Sequence, residues 1–198
     1  MGVYSELYID FIENYPQLIE GTEKFDFMFD MFIALKTTDG VKPNPLLAEF
    51  FKDVFCELHG GDILWAMASV GSNSYNFSFS TLDEALKGFT ALLNYDVNLY
   101  YSPAIFKGWR KDKNVSRINV IYIDIDDVEG VDFSETDEKG IKDYLYCTYH
   151  LTSAMFPNWL VSSGHGLHLY YIVNTLDLKN EADSKLRALY TDYLITHF

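Results

Sequence analysis

The stretch Ile121-Tyr122-Ile123-Asp124-Ile125-Asp126 constrains the fold more than any other segment of this chain. A strand has a side-chain period of two, so its isoleucines point to one face while Asp124 and Asp126 point to the other. One face demands a core, and the opposite face carries two carboxylates side by side. Two acids held this close repel each other unless a cation stands between them, and Mg²⁺ or Mn²⁺ suits a site of hard oxygen donors. The bland alternative is an exposed acidic turn that follows a buried strand. Asp127 falls on the opposite face and begins the following turn.

The surrounding chain supplies what such a strand needs. Its 198 residues suffice for one compact domain or two small lobes, and with 48% hydrophobic residues a core forms without staples. Only two cysteines, Cys56 and Cys147, are present, outside any metal-ligand spacing. Free buried thiols in a reducing compartment are therefore expected. No apolar run approaches the ~20 residues of a membrane span, and the N-terminus lacks the pattern of a signal peptide. A cytoplasmic protein without membrane attachment is expected.

Residues 1–60 read as a helical N-terminal region. The apolar spacing predicts helices over 4–14 and 25–36, and a third over 45–58 that Asn44 caps and Pro45 opens. From residue 61 onward the texture changes to strands alternating with helices. Strands are predicted over 63–70 and 75–80, joined by the turn Gly71-Ser72-Asn73-Ser74. A helix opens at Ser80-Thr81-Leu82-Asp83-Glu84, where a hydroxyl cap precedes acids in the first turn. Further strands are predicted over 97–101, 118–126, 159–162 and 167–173, with helices over 136–155 and 180–198. The class is α/β or α+β.

Charge is distributed unevenly. The formal net charge of −14 repels phosphates on average, so a polyanionic partner must use a local patch. Lys107, Arg110, Lys111, Lys113 and Arg117 form one, immediately before the acidic stretch that begins at Asp124. A solvated connector is the plain reading of this patch. Its functional reading is nucleic-acid binding through Lys107, Arg110 and Arg117.

A second cluster follows in Ser162-Ser163-Gly164-His165-Gly166-Leu167-His168. Glycines on both sides of His165 permit a tight turn and a close backbone approach to a ligand, and free N–H groups in such a turn cradle anions such as phosphate. In the strand after it, His168, Tyr170 and Ile172 share one face, so His168 is displayed from a rigid element. A plain turn with a half-buried imidazole is the competing reading.

Taken in order, an Asp-x-Asp strand, a helix, and a strand–turn–strand with Ser-Gly-x-Gly-x-His resemble the archaeo-eukaryotic primase superfamily, in particular the primase-polymerases of plasmids, phages and mobile elements. The resemblance spans about residues 97–173, and residues 97–118 resemble the strand and basic loop ahead of the acid pair. It implies a mixed-sheet primase-polymerase-like core with an RRM-like unit over 61–198. It further implies a DNA-directed nucleotidyltransferase that makes or extends oligonucleotides from nucleoside triphosphates on single-stranded DNA. In that scheme Asp124 and Asp126 bind Mg²⁺ or Mn²⁺, and Ser163, Gly164, His165, Gly166 and His168 hold the triphosphate. Asp124, Asp126 and His168 are then the catalytic set, and a helicase domain or replication proteins are fitting partners. The family pattern includes a third carboxylate, which this sequence lacks in recognisable form. Asp192 is the one late acid on a suitable segment, and the chain is expected to stop short of that motif. A non-catalytic nucleic-acid or nucleotide-binding replication module is the alternative. A rolling-circle endonuclease is disfavoured because His165 and His168 are separated by a turn.

Overall fold

The computed structural model describes residues 3–17, 19–37, 43–55, 57–70, 73–93, 97–126, 133, 135–162 and 166–196. Three helices come first, α1 (Val3–Asn14), α2 (Glu23–Thr37) and α3 (Pro45–Val54). The Asn44 side chain accepts the Leu46 N–H at 2.9 Å, and Pro45 occupies the first turn of α3, where a missing N–H costs nothing. α3 stops at Val54 rather than Leu58, because Phe55 turns extended to enter the core. A hairpin of β1 (Leu64–Val70) and β2 (Asn73–Phe79) follows, with Val70 opposite Asn73 across the turn. α4 (Leu82–Leu92) begins with a reciprocal cap, in which Thr81 accepts the Glu84 N–H and the Glu84 carboxylate accepts the Thr81 N–H.

β3 (Asn98–Tyr101) completes an antiparallel sheet of order β2-β1-β3. Its inner face carries Leu64, Ala66, Ala68, Tyr75, Phe77 and Phe79, which share one core with Met31 of α2, Phe50, Phe51 and Val54 of α3, and Phe89 and Leu92 of α4. The helical front end and the first sheet are thus built around the same apolar cluster.

The second sheet has the order β4-β5-β7-β6, from β4 (Ala104–Phe106), β5 (Val115–Ile125), β6 (Trp159–Ser162) and β7 (Leu167–Asp177). All described strand pairs are antiparallel, so the expected mixed sheet is replaced by two antiparallel ones in an α+β arrangement. The crossover explains this: α5 (Glu138–Tyr149) carries the chain from β5 to β6, and β7 inserts between them, antiparallel to both. The result is a split β-α-β unit. α6 (Glu181–Ile195) follows β7, capped by Asn180. α5 buries Ile141 and Leu145 against Ile125, Leu167 and Leu169, while Leu194 of α6 joins Ile118, Ile121 and Leu176. Both helices therefore lie on the isoleucine face, leaving Tyr122, Asp124 and His168 uncovered by either.

Several boundaries differ from the pattern reading. α5 ends at Tyr149 instead of 155 because His150 adopts a left-handed backbone, φ 56°. β7 runs four residues past the expected 173 because its far end pairs with Arg117 and Ile118 of β5. Cys147 is exposed rather than buried: the inward stripe of α5 is Ile141 and Leu145, and position 147 turns away from it. Cys56 lies outside the described residues. Among those described, no helix is long and apolar enough to cross a membrane.

Candidate functional site

The β5–β7 register brings the two sequence clusters together. Asp124 stands directly opposite His168, and Ile125 opposite Leu167. Paired residues project to the same face of a sheet, and His168 Nε2 lies 3.2 Å from Asp124 Oδ1. Both side chains are partly open to solvent, at 30% and 44% exposure. Asp126 is exposed just past the end of β5, two positions on from Asp124. Ser163, Gly164 and His165 lie outside the described residues.

Gly166 shows why the turn needs glycine at that position. A Cβ there would stand 2.1 Å from the Ile125 carbonyl oxygen and 3.1 Å from its carbon. The close approach it permits is between the backbones of β5 and β7, which seats His168 beside Asp124.

Behind the pair, three tyrosines form a column from surface to core. Exposed Tyr122 stacks on Tyr170 at 5.9 Å, and Tyr170 on Tyr101 at 6.4 Å. The Tyr101 O–H donates to the Tyr170 oxygen. Burial pushes the phenol of Tyr101 far above its ordinary range and raises that of Tyr170, so both are neutral floor rather than acid–base groups.

Asp124 and His168 also divide two clefts. Asp124 and Tyr122 line one of about 1060 Å³, whose rim carries Arg110, Lys111, Lys113, Lys179 and Arg187. His168 lines the other, about 680 Å³, together with Ser162, Phe50, Tyr101 and Trp159. One cleft is basic along its rim and the other is aromatic.

The three basic residues singled out from the sequence separate. Arg110 lines the cleft that reaches Asp124. Lys107 and Arg117 instead converge on Asp62, whose side chain is completely buried: Lys107 Nζ sits 2.7 Å from Oδ1, and the Arg117 guanidinium donates to Oδ2. Arg117 also donates to the Glu57 carbonyl at 3.0 Å, and the His59 N–H donates to Asp62 at 2.7 Å. Burial alone would lift the Asp62 carboxyl, but the Lys107 and His59 hydrogen bonds and the two positive charges outweigh it and hold it below the usual carboxylate range. These two cations anchor the base of the loop that carries Arg110.

The donor set suits a hard cation only in part. Among the described residues no group of three or more His, Cys, Asp and Glu side chains stands together as a metal site. Asp124 and Asp126 supply two carboxylates at one strand end, the mode in which Mg²⁺ takes one or two protein carboxylates and completes its shell with water and substrate phosphates. His168 holds Asp124 in place from the side. Asp192 is exposed on α6 and lines neither cleft.

Lys179, Arg187 and Tyr122 escaped the sequence reading. Tyr122 was accessible from the alternation that exposed Asp124. Lys179 and Arg187 had no local signal, since the corner between β7 and α6 meets the basic loop only in three dimensions, where Lys179 Nζ donates to the Lys113 carbonyl at 2.5 Å. Comparison with protein-family models, with curated proteins and with solved structures finds no match for this chain.

Proposed function

We propose that the β5–β7 site is the nucleotide end of a metal-dependent primase or primase-polymerase of the archaeo-eukaryotic primase superfamily, acting on single-stranded DNA. The observation that carries this reading is the pairing of Asp124 with His168 across adjacent strands, which brings one residue of each sequence cluster to the same sheet end. The split β-α-β unit with α5 and α6 on one face supports the RRM-like part of the proposal: on the opposite face Val120 and Tyr170 pack into the core beside α3, while Tyr122, Asp124 and His168 stay open at the sheet end.

In this reading Asp124 and Asp126 hold Mg²⁺ or Mn²⁺. Held there, the cation would supply charge neutralisation for the triphosphate and would favour the hydroxyl as a nucleophile. His168, steadied by Asp124, donates hydrogen bonds to phosphate oxygens. The aromatic cleft receives the nucleoside, and the basic rim receives template and primer phosphates. Each of these residues positions or neutralises, which is most of what phosphoryl transfer asks of a protein.

A second reading, a nucleotide-binding replication module without catalysis, is favoured by the pair of carboxylates standing without a third among the described residues. The two readings separate in a labelled-nucleotide extension assay on primed and unprimed templates with Mg²⁺ or Mn²⁺. The catalytic reading expects product from the wild type and none from Asp124→Ala or Asp126→Ala; equal product from all three refutes it. Absence of wild-type product, with a Mn²⁺-nucleotide thermal shift that His168→Ala removes, selects the binding module.

A further inference from the structure

The loop over residues 107–114 is built to display one indole. Trp109 is 72% exposed, yet its ring stacks at 5.4 Å and 21° on Trp65, which is only 8% exposed. The loop beneath it is fixed at several points. The Lys107 N–H donates to the Asn114 carbonyl at 2.8 Å, the Asn114 amide to the Trp109 carbonyl at 2.7 Å, and the Trp65 indole N–H to the Gly108 carbonyl at 3.0 Å. Gly108 takes φ 98°, a conformation that side chains rarely adopt. Lys107 is in turn anchored on Asp62. An aromatic ring held so firmly while remaining in water is pre-organised for a flat partner, because little freedom is left to lose on binding.

Trp65 belongs to the outer face of the first sheet, which no described helix covers. Alternation places Met67, Asn76, Ser78, Asn98 and Tyr100 on that face, with Tyr100 opposite Met67 and Ser78 opposite Trp65. Asn76, Ser78, Asn98 and Tyr100 are exposed, and none of these side chains is charged. Flat rings interleaved with amide and hydroxyl groups suit nucleobases, whose faces stack and whose edges hydrogen-bond.

Charge selects the occupant. Arg110, Lys111 and Lys113 follow Trp109 directly, are exposed, and form no ion pair with any described carboxylate, in a chain of net charge −14. A neutral sugar needs no such cations, whereas a phosphodiester strand does. We infer that Trp109 and the outer face of the β2-β1-β3 sheet form a stacking platform for single-stranded nucleic acid, its phosphates held by Arg110, Lys111 and Lys113. Those three cations also line the cleft that reaches Asp124, and Trp109 immediately precedes them in the chain. The platform shares its partner class with the catalytic reading but none of its catalytic residues.

The test is fluorescence anisotropy of a labelled oligothymidylate at low salt, without nucleotide or divalent cation. Trp109→Ala should weaken binding by about ten-fold or more, while Trp109→Phe keeps most of the affinity. Replacing both Arg110 and Lys111 by Gln should flatten the salt dependence by about 1.4 in log–log slope. The catalytic reading is read separately, as loss of nucleotide extension in Asp124→Asn, so failure of the platform and failure of the catalytic reading fall on different variants and different assays. Oligothymidylate should also quench the indole emission of the wild type, and Trp109→Phe should lose that quenching, a readout that survives if the alanine variant does not fold. Wild-type affinity in Trp109→Ala, equal affinity of the wild type for inorganic polyphosphate, or preference for a neutral oligosaccharide overturns the proposal.

Discussion

Replacing Gly166 by alanine tests the geometry on which the candidate site depends. The added methyl group would stand 2.1 Å from the Ile125 carbonyl oxygen and 3.2 Å from the Asp126 Cα, both backbone atoms. Carbon–oxygen contact needs roughly 3.4 Å, so β5 and β7 must part by more than about 1 Å at this end. No side chain can absorb that displacement by changing rotamer. Forcing a methyl group into such a contact costs about 1–3 kcal/mol, and loosening the last ladder hydrogen bond adds about 1 kcal/mol. A total near 3 kcal/mol lowers the Tm of a chain this long by about 6–12 °C. Urea titration followed by far-UV circular dichroism measures the loss, with Gly60→Ala as control, since a Cβ at Gly60 meets nothing within 4 Å. Equal stability of the two variants, within about 0.5 kcal/mol, would falsify the claim that Gly166 sets the close pairing of Asp124 with His168. The same displacement should abolish any nucleotide-dependent thermal shift in Gly166→Ala and leave it intact in Gly60→Ala.

Two pH predictions follow from the buried ionisable groups. The folded carboxyl of Asp62 lies below its unfolded value, so its stabilising contribution is complete above about pH 4 and disappears as pH falls through the folded value. Asp62→Asn should cost about 3 kcal/mol at neutral pH and remove this component from the acid-unfolding curve; an unchanged curve contradicts the assignment. At the alkaline end, burial raises Tyr144 and Tyr171 to about 12 and Tyr101 above that range. An acid whose folded value is raised stabilises the fold fully below its unfolded value near 10 and loses that contribution as pH rises through the folded value. Spectrophotometric titration should therefore show some of the 15 tyrosines ionising only near or above pH 12 in the native protein and all of them near 10 in denaturant. A single native transition near 10 refutes the buried column.

Much of this protein was legible from local pattern. Asn44-Pro45 and Ser80-Thr81 marked helix starts because capping is a contact between neighbours in sequence. The alternation over 121–126 placed Asp124 opposite the isoleucine face because the pleat has a period of two. The three-residue β4 went unseen because so short a strand leaves no period to detect, and it exists through pairing with β5. The basic loop was visible as a charge cluster, but its composition could not separate Arg110, which lines a cleft, from Lys107 and Arg117, which hold Asp62.

Element type, capping and the face of each residue are properties of a short window, and the sequence by itself determined them, together with the two clusters that carry the candidate chemistry. Their meeting was decided only in three dimensions. Asp124 faces His168 because β7 enters between β5 and β6, and a strand order of that kind is chosen by burial of Ile125, Leu167 and Leu169 beneath α5. Trp109 is likewise a stacking surface only because Trp65, 44 positions earlier in the chain, lies under it. Contacts between distant segments depend on which apolar surfaces find each other, and no local periodicity records that choice.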